Sequence, residues 1–195
     1  MPEKNAAPQL ILEAVVTCIE KYGVDKLTTR KIAEQAGTNI ASINYYFRSK
    51  DELVAAALSM TIKHMMEDIF TALDNTEQPF ERTLEDIFFY LLDGGVRFPG
   101  VSTAHLYKAI MDKQYDSIGA LAMNKSFERL VQRAVQEYPR RNPQELRLRL
   151  SLILSSILFN VLAPGFLAVP QKYRLTSSEN AKNLAAFYAE TFYNQ

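Results

Sequence analysis

Small polar side chains recur on one side of a short predicted helix that covers about residues 39–47. At 100° per residue, Ile40, Ile43 and Phe47 fall together on the other side, where they are expected to be buried. The major groove of duplex DNA admits a helix whose outward side chains are small, because large ones hold the backbone away from the base edges. The pattern therefore predicts a recognition helix. Its outward residues are Thr38, Ala41, Ser42 and Tyr45, with Asn44 on the flank.

Candidate phosphate-binding side chains lie at both ends of this unit. Thr29 and Arg30 come at the start of a second predicted helix, where unpaired backbone N–H groups and the helix dipole favour an anion. Lys50 comes at the start of a fourth helix, directly after the recognition helix. Its ammonium group is a point charge that suits a backbone phosphate better than a base.

Three short helices with tight connections are predicted to position these side chains. The first covers residues 8–22, and its apolar residues recur at steps of three and four. Thr28 or Thr29 caps the second, which runs to Ala36 and is broken by Gly37. The recognition helix follows. Three helices with a glycine turn between them are the outline of a helix-turn-helix.

The segment from Leu27 to Leu53 resembles the DNA-binding segment of the tetracycline-repressor (TetR) family of bacterial regulators. The resemblance rests on Thr28-Thr29-Arg30, Ile32-Ala33, Ala36-Gly37, Tyr46-Phe47, and Ser49-Lys50 followed by an acidic residue and Leu53. It implies phosphate contacts by Thr29, Ser42 and Lys50, and base contacts by Arg30, Ala41, Tyr45 and Tyr46.

Asn44 departs from the family pattern, which most often has a tyrosine at this position. Its amide can donate to a phosphate or bond an adenine edge, and the sequence leaves the two alternatives open. The alternative for the whole face is a solvated helix surface in an ordinary bundle. The expected DNA-binding residues are Thr29, Arg30, Thr38, Asn39, Ala41, Ser42, Asn44, Tyr45, Tyr46 and Lys50.

The charge balance permits DNA binding without demanding it. Twenty-two basic residues match 22 acidic ones among the 195 residues, so a DNA-binding surface must concentrate its positive charge locally. The first fifty residues hold seven basic and five acidic side chains, a surplus of two positive charges.

Cysteine content and hydropathy limit the cellular compartments that the sequence predicts. Cys18 is the only cysteine, which excludes an intrachain disulfide and a cysteine-based zinc site. The N-terminus lacks the layout of a signal peptide, and the longest apolar stretch, Leu150 to Ala163, is shorter than the about 20 residues that span a bilayer. We therefore expect a cytoplasmic protein with no membrane partner.

Helical periodicity continues to the C-terminus and predicts an all-α fold of about nine helices. Asp93-Gly94-Gly95 and Pro99-Gly100 are expected to interrupt the chain. We predict a helix-turn-helix DNA-binding domain over residues 1–53 and a ligand-binding and dimerisation domain over residues 54–195. The later helices are expected over Phe80–Leu92, Ser102–Met111, Ile118–Tyr138, Pro143–Ala163 and Ser178–Phe192.

The last two predicted helices favour a homodimer. The helix over residues 143–163 is apolar nearly all round and must be covered on every side, and the last helix adds a second apolar stripe. Pairing these helices between two chains gives a four-helix interface, and the family resemblance implies the same. The alternative is that both helices close the core of the monomer. A dimer with recognition helices ~34 Å apart matches a palindromic operator.

The middle of the chain is rich in aromatic and methionine side chains, which suit an adaptable apolar pocket. Plain core packing is the alternative for each residue. We expect a small apolar or aromatic effector that changes operator affinity, with repression as the family's usual mode and no cofactor or metal. The candidate ligand-binding residues are Phe88, Phe89, His105, Tyr107, Met111, Met123 and Phe127.

Two other classes of function stay open. An enzyme is disfavoured because the chain has two histidines, one cysteine and no glycine-rich phosphate loop. A helical protein-interaction module without DNA binding is the second alternative, and Asn44 and the zero net charge are consistent with it.

Overall fold

The computed structural model describes residues 6–194, with the side chains of residues 8–107 and 109–194. This range contains nine α-helices, two single-turn 3-10 helices and no strand. None of the helices in this range is both long enough and apolar enough to span a membrane. The all-α prediction is confirmed. The α-helices are α1 (Ala6–Tyr22), α2 (Thr29–Gln35), α3 (Ile40–Tyr46), α4 (Lys50–Asp74), α5 (Phe80–Arg97), α6 (Pro99–Met111), α7 (Ile118–Glu137), α8 (Pro143–Leu162) and α9 (Ser178–Tyr193), and the 3-10 turns are Val24–Lys26 and Gln171–Tyr173.

Side-chain caps fix where the short N-terminal helices begin. The hydroxyl of Thr28 accepts a hydrogen bond from the backbone N–H of Lys31 at the start of α2. The amide oxygen of Asn39 accepts from the N–H of Ser42 at 2.8 Å and starts α3. Ser49 caps α4 in the same way. Each such cap stabilises its helix by about 1 kcal/mol.

The N-terminal helices share one hydrophobic cluster, to which α6 also contributes. Val15 of α1, Ile32 of α2, Ile43 of α3 and Leu53 of α4 are buried together, and Val101 of α6 joins them. The helix-turn-helix is thus packed against an element from the middle of the chain.

A carboxylate ties α1 to the first turn of α6. Glu20 accepts hydrogen bonds from the backbone N–H groups of Gly100, at 3.0 Å, and Val101, at 2.6 Å. These N–H groups lie at a helix N-terminus, where a negative charge is favourable. A Cβ atom at position 100 would lie 2.9 Å from the carbonyl oxygen of Ile19, so this close approach of α6 to α1 requires glycine.

A second, larger cluster surrounds α5. Phe80, Phe88 and Leu92 of α5 are fully buried against α4, α7, α8 and α9, together with Leu150 of α8 and Phe192 of α9. Apolar residues at steps of three and four along α5 place its apolar stripe in this core.

The structure differs from the sequence prediction at the junction of α5 and α6. Helix α5 continues through Asp93-Gly94-Gly95 to Arg97, and α6 begins at Pro99, not at residue 102. A Cβ atom on Gly95 would lie 2.6 Å from a methyl carbon of Val161, so Gly95 allows α5 to approach α8 and does not mark a turn. The helix ends at Arg97, with Phe98 as its C-terminal cap, because Pro99, which has no N–H, starts the next helix.

Candidate nucleic-acid interface and buried cavity

Helix α3 buries one residue and presents the others to solvent. Ile43 is buried in the N-terminal cluster, whereas Ala41 and Asn44 are exposed and the side chain of Tyr45 is 81% exposed. Thr38 and Ser42 are half-buried at the edge of this face. The predicted outward side of the recognition helix therefore lies on the protein surface.

Ile40 does not lie where the helical wheel predicted it. Its side chain is 45% exposed, although it shares a side of the wheel with Ile43. Ile40 is the first residue of α3, directly after the Asn39 cap, whereas Ile43, one turn further on, is buried in the hydrophobic cluster. The exposed surface of α3 thus includes an apolar group that the sequence analysis assigned to the core.

The Tyr45 ring is positioned by its neighbour. The rings of Tyr45 and Tyr46 meet edge to face, with their centroids 5.0 Å apart. Tyr46 is half-buried and packs against the N-terminal cluster, so it supports the exposed ring of Tyr45.

The predicted phosphate anchors flank α3 at two helix starts. Thr29 is the first residue of α2, and the guanidinium of the exposed Arg30 donates to Glu34 at 3.0 Å. A solvent-exposed pair of this kind is weak, so a phosphate can replace Glu34 as the partner. The ammonium of Lys50, the first residue of α4, donates to the carbonyl oxygen of Leu27 at 3.5 Å.

A cavity of about 360 Å³ lies among α4, α5, α6, α7 and α8. Two of the predicted ligand-binding residues, His105 and Met123, line it. Thr61, Asp93 and Arg97 also line it, and no sequence pattern predicts a ligand-binding role for them. In the sequence, Asp93 stands next to two glycines, a pattern that predicts a break in the chain.

The other five predicted ligand-binding residues do not line this cavity. Phe88 is fully buried in the core around α5, and Phe89 and Phe127 pack at the edge of that core. Tyr107 and Met111 are exposed. On α6, Tyr107 lies 200° around the helix from His105 and therefore faces away from the cavity.

The Thr61 hydroxyl lies 3.0 Å from the carbonyl oxygen of Leu58 and 3.0 Å from Nε2 of His105. When the hydroxyl donates its one proton to Leu58, it accepts from Nε2–H of His105, and the ring is the Nε2–H tautomer. Burial lowers the pKa of His105 to about 4, so the ring is neutral at neutral pH. In this tautomer Nδ1 is an acceptor, and it is buried without a hydrogen-bond partner in the part of the chain that the structure describes. Among the described residues, no group of three or more His, Cys, Asp or Glu side chains is arranged to hold a metal ion.

These features define an all-α helix-turn-helix protein with an exposed second motif helix and a cavity in its larger C-terminal part. Residues 11–57 match the family of bacterial regulatory proteins, tetR family. This match falls on the N-terminal part of the chain, where the sequence resemblance to that family also lies.

Two relatives match part of the chain. The HTH-type transcriptional regulator BetI of Brucella anthropi is 31% identical over 72 residues, which are 37% of this chain and 37% of that protein. The HTH-type transcriptional dual regulator CecR of Shigella flexneri is 37% identical over 83 residues, 43% of this chain and 36% of that protein. The matched region thus spans little more than a third of each relative.

The fold extends the similarity over the rest of the chain. A TetR transcription regulator from Haloarcula marismortui superposes with a TM-score of 0.63 at 19% identity, covering 95% of this chain and 97% of that one. The three proteins are named as transcription regulators and none as an enzyme.

Proposed function

We propose that this chain is a DNA-binding transcriptional repressor that acts as a homodimer and loses or gains affinity for a palindromic operator when a small molecule binds. The observation that carries the proposal is the exposed face of α3, set between two helix starts within a tetR-family domain. A regulator of this kind works where the chromosome is, so we propose the cytoplasm as its location.

In this proposal the residues around α3 make two kinds of contact with DNA. Thr29, Ser42 and Lys50 contact phosphates, while Arg30 and Tyr45 face the bases. Ala41, Thr38, Asn39, Asn44 and Tyr46 complete the surface. The exposed side chain of Ile40 is a further candidate, because an apolar group can contact the methyl group of thymine.

We infer that the DNA-binding and ligand-binding domains meet within α4. The predicted boundary after residue 53 falls in the first turn of this helix, and Ala57 still packs in the N-terminal cluster. Thr61, one turn later, lines the cavity. Eleven residues of one continuous helix, about 16 Å, therefore separate a cavity residue from Lys50.

A second connection supports coupling between ligand and DNA. Helix α6 lines the cavity with Val101, Ser102 and His105, and its first turn is held by Glu20 of α1. A ligand that binds one position of α4 and α6 more tightly than another shifts the helix-turn-helix domains of the dimer relative to each other.

Exposed apolar side chains on the last two helices support the homodimer. Leu148, Leu152 and Phe159 form a stripe on the outer side of α8, whereas Leu150 and Ile157 face the core of the chain. Phe187 adds an exposed ring on α9. The chain's own core covers one side of α8 and leaves the other for a second copy.

Binding to random-sequence duplex DNA tests the proposal without knowledge of the operator. Affinity should fall steeply as salt rises from about 50 to 200 mM, because phosphate contacts release counterions. Tyr45→Ala should abolish selection of a preferred sequence from the duplex pool while the circular dichroism spectrum stays that of the wild type. Tyr115→Ala, which removes another exposed tyrosine outside the N-terminal domain, is the matched control and should bind as the wild type does.

The contradicting outcomes differ in what they exclude. Unchanged sequence selection by Tyr45→Ala would show that α3 does not read bases through this face. No duplex binding at about 50 mM salt would instead favour the protein-interaction module.

A further inference from the structure

Among the described residues, two buried side-chain atoms that can accept a hydrogen bond line the cavity without a protein partner. One is Nδ1 of His105, and the other is Oδ1 of Asp93 on α5. An acceptor that stays unpaired in an apolar site raises the free energy of the folded protein. A ligand that supplies hydrogen-bond donors therefore binds more tightly than one that does not.

The protein pairs the carboxylate of Asp93 only in part. Its other carboxylate oxygen lies 3.7 Å from the guanidinium of Arg97, which is longer than a hydrogen bond. The Arg97 side chain is largely exposed and lies over the ring of Phe98, so it meets Asp93 from the solvent side. The buried oxygen of Asp93 therefore keeps its capacity to accept.

Asp93 and Arg97 are the acidic and basic side chains of the described lining, and the rest of the lining is mostly apolar. The hydroxyl of Tyr90 donates to Asp68 at 2.8 Å and is thus already engaged. His105 is uncharged at neutral pH, as derived above, and the exposed His64 contributes to the rim. Most other lining side chains are aliphatic or methionine, and they suit an apolar body.

We propose that the cavity binds an amphipathic amine, whose apolar body fills the space between α4 and α8 and whose ammonium group donates to Oδ1 of Asp93, with Nδ1 of His105 as the second acceptor. This deepens the proposed function and rests on it, because the amine would be the effector. A carboxylate of the same shape would meet two acceptors and is disfavoured by repulsion from Asp93.

Three probes with one apolar body test the head-group preference: 4-phenylbutylamine, 4-phenylbutan-1-ol and 4-phenylbutyrate. Their dissociation constants are measured by isothermal titration calorimetry on the full chain without DNA at neutral pH. We expect the amine to bind about tenfold or more tightly than either of the others. Equal or tighter binding of the alcohol or the carboxylate would overturn the proposal.

Asp93→Asn supplies the decisive variant, because it keeps the shape and removes the charge. We expect its affinity for the amine to fall about tenfold while its affinity for the alcohol stays within about twofold. Asp86→Asn, the same change two turns earlier on α5 and outside the cavity lining, should retain the amine preference. An Asp93→Asn protein with the wild-type preference would contradict the inference.

The experiment separates this inference from the proposed function. Amine binding is measured without DNA, and duplex binding is measured without amine. Amine binding that leaves duplex affinity unchanged would contradict the proposed coupling and support the cavity chemistry. Loss of the head-group preference in a chain that binds duplex DNA would do the reverse.

Discussion

At the scale of single residues, burial decides the charge of His105. The ring lies beside Thr61 in the cavity wall, and its pKa falls from 6.5 to about 4 because the charged form is poorly solvated there. In the unfolded chain the same ring takes up a proton below about pH 6.5. The folded chain binds that proton only when the pH is near 4.

His105 is therefore expected to make the protein less stable as the pH falls from 6.5 towards 4, the window in which the unfolded state binds the extra proton. Between about pH 7 and pH 5 the free energy of unfolding should drop by about 1–2 kcal/mol on this account. Urea denaturation at both pH values measures the free energy of unfolding of the wild type and of His105→Gln. The variant should lose less stability on acidification than the wild type does, because it has no imidazole at this position.

His64→Gln is the control for that measurement. His64 is exposed on α4, so its removal should leave the pH-dependent loss in place. If His105→Gln lost as much stability on acidification as the wild type, the ring would not be held neutral by burial.

The exposed residues of α3 could be predicted because they lie on one short helix. A pattern of seven residues decides which side chains α3 presents, and only Ile40, at its first position, differs. The cavity is different, since Thr61 and His105 are 44 positions apart and meet only through the packing of α4 on α6. No local periodicity reports such a contact, and five of the seven predicted ligand residues lie outside the cavity for this reason.

At the scale of helices, the two adjacent glycines of α5 have opposite surroundings. A Cβ atom on Gly94 would meet no atom within 4 Å, whereas one on Gly95 would lie within 2.8 Å of both methyl groups of Val161. The same sequence pattern, Gly94-Gly95, thus predicted a chain break where one glycine allows two helices to pack closely. Only the contact with Val161 of α8 distinguishes a glycine that allows close packing from one that ends a helix.

This difference gives opposite expectations for alanine at neighbouring positions of one helix. Gly94→Ala should raise the free energy of unfolding by about 0.5–1 kcal/mol, because alanine is the better helix former and has open space. Gly95→Ala should lower it by about 1–3 kcal/mol, because the short branched side chain of Val161 cannot turn away from the added methyl group.

Urea denaturation followed by circular dichroism measures both variants, and each serves as the other's control for helix propensity. Equal stability of the two proteins would mean that α5 and α8 are further apart than the structure has them.

At the scale of the whole molecule, the proposed function requires two copies of the chain. One helix-turn-helix covers one half-site, and a palindromic operator gains affinity only when both half-sites are held at a fixed spacing. Two of the exposed apolar surfaces among the described residues are candidate sites of association. One is the α8 stripe with Phe187 of α9, and the other lies on α6 and α7 and includes Ile110, Ile118 and Leu121.

A matched pair of Leu→Glu substitutions decides between these surfaces. Leu152 on α8 and Leu121 on α7 are similarly exposed, at 61% and 56%, so neither change should unfold the monomer. We expect Leu152→Glu to shift the molar mass in sedimentation equilibrium from dimer to monomer, because a buried, unpaired carboxylate opposes association. It should also weaken binding to a selected palindrome far more than binding to a single half-site. Leu121→Glu should stay dimeric, and a monomeric Leu121→Glu beside a dimeric Leu152→Glu would assign the interface to α6 and α7.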